Sequence, residues 1–185
     1  MKYRAYVLPL LLALSVVGCG RFKPPLPPEK FAPKAVEALT VTATDAGVLF
    51  AWSSPDEDQQ GKELKSIEGY SIQRKVISQK GDETDPSVRF ETIGFIKDSH
   101  VKVREELRAA ARKEGKIGRS IKSPEEHTKF SFVDSKVQRD KTYIYQIVPE
   151  NQGGTEGGIK QFARVTFRGV TSDIAMIDST DNSFS

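Results

Sequence analysis

The chain has 185 residues, 28 Lys and Arg against 25 Asp and Glu, a formal net charge of +3, and one cysteine. That near-balance of charge gives no basis for general nucleic-acid binding, and a lone cysteine excludes an intramolecular disulfide. A folded domain in this chain is therefore held by its apolar core, and the length suffices for one domain with decorations.

The N-terminus begins with Lys2 and Arg4, and Ala5 to Val17 is apolar apart from Pro9 and Ser15. A charged start followed by a short apolar run has the form of an export signal, too short for a stable bilayer-spanning helix. It ends in Val16-Val17-Gly18-Cys19. This block resembles a bacterial lipobox, which implies cleavage after residue 18, lipidation (diacylglyceryl and palmitate) of the Cys19 thiol, and residence in the cell envelope. Gly20 stands where an Asp favours inner-membrane retention, so the resemblance implies the periplasmic leaflet of the outer membrane. No other stretch reaches 18 apolar residues, so the lipid on Cys19 is the expected membrane attachment.

Residues 19–34 form the expected lipidated tether, and five of the ten prolines fall between Gly20 and Lys34. Proline fixes φ near −65° and lacks an N–H, so the segment favours extended polyproline II geometry. A spacer that lifts a domain from the lipid surface is the plainer reading, and a ligand for a proline-reading domain is the sharper one.

From Val36 the pattern turns to period two. Leu39 to Thr42, Val48 to Trp52, Ile67 to Val76, Arg89 to Ile96, Phe130 to Val137, Thr142 to Val148 and Phe162 to Phe167 read as strands. Turn chemistry separates them at Asp45-Ala46-Gly47, at Gly61, at Asp82 to Pro86 and along the Gly-rich run 151–158. Seven short strands predict an all-β antiparallel sandwich, with a core of Trp52, Tyr70, Ile72, Tyr143, Tyr145 and Ile147 joined by Leu39, Val41, Phe90 and Val133. Residues 99–129 interrupt this pattern with a run of helix formers from Val101 to Glu114, closed by Gly115 and Gly118. Val103, Leu107 and Ala110 or Ala111 are its expected packing side. Residues 169–185 are polar and acidic and read as a flexible tail.

Three segments carry a family resemblance. Trp52 follows Phe50 by two and precedes Pro55 by three; Gly69-Tyr70-Ser71-Ile72-Gln73-Arg74 sets a Tyr before alternating apolar residues; and Val137 stands six before Tyr143, ahead of an alternating run to Asn151 and Gly153. Together they resemble a fibronectin type III domain over residues 35–168, an immunoglobulin-like β-sandwich of about seven strands, here with an inserted helical segment. The resemblance implies that the Tyr143 hydroxyl closes a corner onto the upstream backbone, and it leaves function open.

Catalytic material is sparse. His100 and His127 flank the insertion among charges and read as surface histidines, the single thiol is the lipidation site, and no nucleophile motif, phosphate loop or zinc-spaced His pair occurs. No catalytic residue, metal or cofactor is assigned. Asp56-Glu57-Asp58-Gln59-Gln60-Gly61 opens like a calcium loop, but Ile67 stands where a bidentate Glu is needed, so an acidic turn is preferred. Lys80-Gly81-Asp82 matches a variant adhesion tripeptide by a turn-like sequence that chance also supplies.

The insertion carries nine cations against five glutamates. It reads either as a solvated amphipathic helix or as a basic face for acidic partners, with Arg104, Arg108, Arg112, Lys113 and Lys116 as the candidate partner surface. The expected function is a non-catalytic, lipid-anchored module that binds an envelope protein or an acidic glycan. The alternative is a structural spacer or accessory subunit with no ligand affinity of its own.

Overall fold

The alternating residues of the strand-forming segments sort into two faces. In β2 (Gly47–Ser53), Val48, Phe50 and Trp52 point inward and are essentially inaccessible, while Leu49 and Ala51 point outward. The computed structural model describes residues 26–78 and 88–180, which form eight strands and one α-helix. The signal segment, Cys19, the start of the tether, the Lys80-Gly81-Asp82 tripeptide with the rest of the 82–86 turn, and residues 181–185 lie outside the described residues.

One sheet has the order β1-β2-β5, with β1 at Glu37–Thr44 and β5 at Lys129–Asp134. The other has the order β4-β3-β6-β7-β8, with β3 at Gly69–Ile77, β4 at Glu91–Lys97, β6 at Thr142–Glu150, β7 at Gln161–Thr166 and β8 at Asp173–Asp178. All ladders are antiparallel. The first, second and fifth strands facing the fourth, third, sixth and seventh is the arrangement of a fibronectin type III-like sandwich.

The core lies between the sheets. Phe50 meets Tyr145 at 4.7 Å between ring centroids, and Trp52 meets Tyr70 edge-on at 5.4 Å. Phe130 closes the group, 4.9 Å from Tyr70. Each buried aromatic of this size contributes about 2–3 kcal/mol, which lets a disulfide-free domain hold together. Gly94 is required at one contact: a Cβ there would lie 2.5 Å from the Phe132 ring, which packs across from the opposite sheet. Gly47, at φ +139°, carries the turn into β2, and its backbone passes so close to Asp134 O that a side chain has no room.

The corner expected of Tyr143 is present. Its hydroxyl accepts the N–H of Gln138 at 2.9 Å. Two expected core residues sit elsewhere: Val133 is 47% exposed on the outer face of the three-stranded sheet, and Phe90 stacks on Phe162 at 6.1 Å outside the core. Val133 alternates with Phe130 and Phe132, so pleating sends it the other way. Asp134, one residue on, returns inward.

Two boundaries differ from expectation. The tail from residue 169 contains β8, which pairs with β7 over six residues from Asp173↔Thr166 to Asp178↔Gln161. Its run Ile174-Ala175-Met176-Ile177 hides the alternation, and the bare edge of β7 supplies the order that the sequence pattern lacks. At the other end, the last residues of the expected tether segment belong to the folded domain. Pro28–Phe31 makes a 3-10 turn, and the chain is fastened from Ala32 onward. Pro33 O accepts from both Gly158 N and Gln59 Nε2, at 3.0 and 2.7 Å.

Candidate functional site

The insertion is ordered around α1 (His100–Lys113), followed by 3-10 turns at Gly118–Ser120 and Glu125–His127. Gly115 ends the helix at φ +74°, where Lys116 N donates to Ala111 O and Gly115 N donates to Arg112 O. This pair of bonds is a Schellman closure, the reason glycine stands there.

The helix packs on a different side from the one its apolar spacing predicts. His100, Val101, Arg104 and Ala111 are buried, whereas Leu107 is 41% exposed. The sandwich fills most of its core with its own aromatic rings, and Val101 is the helix residue that joins it. What it offers the helix is a loop edge with free carbonyls and carboxylates, and hydrogen-bond donors satisfy such an edge better than leucine does. An Arg104 Nη2 donates to Leu64 O, and Ser123 Oγ donates to His100 O at 2.8 Å.

At the head of the helix Asp98 gathers three partners. Its Oδ1 accepts the His100 N–H at 2.7 Å, its two oxygens lie 2.9 and 2.8 Å from His100 Nδ1, and its Oδ2 accepts the Tyr70 hydroxyl at 2.5 Å. Burial, reinforced by the neighbouring Asp98 charge, pushes the Tyr70 phenol far above its ordinary range. His100 was expected at the surface and is fully buried. A paired Asp and His also occurs where an imidazole acts as a base, but here the ring is sealed from solvent and the Ser123 hydroxyl is spent on a backbone carbonyl. The set therefore clamps the helix to β3.

Beyond this clamp, α1, residues 63–65 and the turn 117–119 line an open cleft of about 680 Å³. Its floor is an ion-pair lattice. The Arg108 guanidinium forks onto Glu63 at 2.6 and 2.9 Å, reaches Glu105 at 3.1 Å, and donates through Nε to Ile121 O at 3.0 Å. Arg104 Nε lies 3.6 Å from Glu63 and 3.7 Å from Glu105. The hydrogen bonds from Arg108 hold the Glu63 carboxyl below its ordinary value, and those same carboxylates raise Arg108.

The structure thus divides the five cations of the predicted partner surface. Arg104 is buried and Arg108 is committed to the floor, so neither presents a free charge. Arg112, Lys113 and Lys116 are exposed, and only Lys116 has an ion partner among the described residues, Glu114 at 2.7 Å. Lys65 and Arg119 join Arg112 and Lys116 along the cleft. Lys65 comes from a loop far away in sequence, and no local pattern links it to the helix. The other candidates have structural uses. Asp58 is buried and accepts the N–H groups of Gln60 and Lys62 at 2.8 and 3.0 Å, while Glu57 pairs with Lys34 at 2.5 Å. In the Gly-rich run, Asn151 Oδ1 accepts from Gly153 N and Thr155 N, both at 2.9 Å.

No family model matches this chain, and no curated protein matches it. Among solved structures it is similar to the twitchin kinase region from C. elegans (Fn31-NL-kin-CRD-Ig26) at 13% identity and a TM-score of 0.43. That match covers 75% of this chain and 17% of the other. The third fibronectin III domain of human KIAA0343 protein is similar at 10% identity and a TM-score of 0.40, covering 81% and 94% of the two chains. A structure described as a myokine matches at 10% identity and a TM-score of 0.34, covering 80% and 97%. Among the described residues, no helix is long and apolar enough to cross a membrane.

Proposed function

We propose that this protein is a lipid-anchored, non-catalytic binding module of the bacterial cell envelope, tethered through Cys19 and engaging its partner through the cation-lined cleft beside α1. One observation carries the binding half of this reading. In a chain of nearly balanced charge, exposed cations from three separate segments line one cleft whose floor is already fixed by paired arginines. The anchoring half rests on the lipobox-like sequence at 16–19. A pure spacer has no need for a helix clamped by a buried Asp–His–Tyr set, and this favours the binding role over the accessory one.

The test is fractionation and capture of the full chain. Cys19→Ser should move the protein from the membrane fraction to the soluble envelope fraction. Arg112→Glu with Lys116→Glu should reduce recovery of a cross-linked partner by about tenfold without altering the thermal transition. A membrane-bound Cys19→Ser protein would sink the anchor. Undiminished recovery with the charge-reversed chain would sink the surface.

A further inference from the structure

We propose that the cleft between α1 and the turn 117–119 binds a linear acidic glycan, a chain of sugars bearing carboxylate groups. This rests on the reading that the cleft is the partner site, and it names the ligand chemistry.

The walls of the cleft are preformed. Arg108 ties the helix to the turn through Ile121 O and to the loop through Glu63, and Gly118 is buried where a Cβ would approach Arg108 O at 3.0 Å. A site whose side chains are already ordered spends little binding energy on closing. Its volume falls in the range of about 300–1,000 Å³ common to small-ligand sites. The open side leaves room for a chain to run through.

The charges along it are of two kinds. Lys65, Arg112 and Arg119 are exposed and make no close ion pair among the described residues, and Lys65 acts on Glu63 only at longer range. The Lys116–Glu114 pair is 71% and 61% exposed, a kind of pair that adds less than about 1 kcal/mol and gives way readily to a ligand anion. Guanidinium forks suit carboxylates in particular. Between these cations sit Glu63 and Glu105, 53% and 51% exposed. Arg108 bonds to both, and a half-exposed carboxylate has further lone pairs with which to accept hydroxyl groups.

That mixture separates an acidic sugar from an acidic peptide. A sugar acid brings anions for the cations and hydroxyl donors for Glu63 and Glu105. An acidic peptide brings its carboxylates with a single backbone N–H per residue, so it offers Glu63 and Glu105 fewer donors than the ring hydroxyls of a sugar acid do. The lining holds no aromatic ring, and Ile117 at its rim is 83% exposed, so neither a stacking platform for neutral sugars nor a pocket for an apolar peptide anchor is built here. Binding should therefore be ionic and weaken steeply with salt.

The experiment is calorimetric titration of the full chain in a nonionic detergent with three probes: a galacturonate hexamer, a glutamate hexapeptide and a neutral maltose-series hexamer. The galacturonate hexamer should bind, with affinity falling by about tenfold or more in Arg112→Glu/Arg119→Glu and staying unchanged in Lys160→Glu on the far edge. The glutamate hexapeptide should bind at least about tenfold more weakly, and the neutral hexamer should give no heat. Equal or tighter binding of the glutamate peptide would overturn the inference in favour of an acidic protein partner. So would a galacturonate affinity indifferent to the double variant, or no galacturonate binding at all. In each case a charge-dependent partner captured from the envelope would still stand, which keeps the two claims separable.

Discussion

At the scale of single residues, the fold turns on a few buried polar groups that each satisfy several partners. Asp134 accepts Arg74 Nη1 at 2.8 Å, the Tyr145 hydroxyl at 3.0 Å and Lys136 N at 2.9 Å, with its side chain 4% exposed. Burial, with Asp134 adding to it, pushes the Tyr145 phenol above its ordinary range. Asp134→Ala leaves a guanidinium and a phenol facing an empty site, so urea denaturation should show a loss of about 3–5 kcal/mol. The role of Tyr143 was legible through the family resemblance, because the corner is formed within one short segment, from Gln138 to Tyr143. His100 was not legible, since charged neighbours mark the surface in most chains. Its burial depends on Asp98 and on Tyr70, whose strand contact lies 28 positions upstream of that carboxylate.

At the scale of elements, α1 shows where amphipathic reasoning fails. The apolar stripe through Val103 and Leu107 gives a helix facing the wrong way, because only Val101 reaches the core and the neighbouring contact is Arg104 on the Leu64 carbonyl. Leu107→Ser should change stability by less than about 0.5 kcal/mol, whereas Arg104→Ala orphans the Leu64 carbonyl and should cost about 1–3 kcal/mol. Equal effects in urea denaturation would mean the helix packs on its leucine side. The Glu63–Arg108 fork adds a pH dependence. The hydrogen bonds from Arg108 make Glu63 titrate below its ordinary value in the folded state. Its contribution is therefore present above the unfolded value and lost as the pH falls through the folded one. Half-exposed Glu63 supplies less than about 1 kcal/mol, so the urea midpoint of the native chain should drop more between about pH 5 and about pH 3 than that of Glu63→Gln. β8 carries no period-two signature, because four consecutive apolar residues mask its alternation and its order derives from the edge of β7.

At the scale of the whole molecule, the sheets, the turns and the place of the insertion were readable, since alternating burial and glycine-marked turns are written locally. The cleft was readable only in part. The sequence showed a basic insertion, but pairing to Glu63 removed Arg104 and Arg108 from the surface, and folding brought Lys65 in from a distant loop. What remains is a sandwich with a cation-lined cleft beside its helical insertion. The most direct test is site-specific photo-cross-linking in living cells. A photoreactive residue replaces Ile117, at the rim of the cleft, or Val133, exposed on the outer face of the three-stranded sheet. The account predicts a discrete adduct from position 117 that disappears with Arg112→Glu/Arg119→Glu, and none from position 133. Adducts of equal yield from both positions, or from 133 alone, would contradict it.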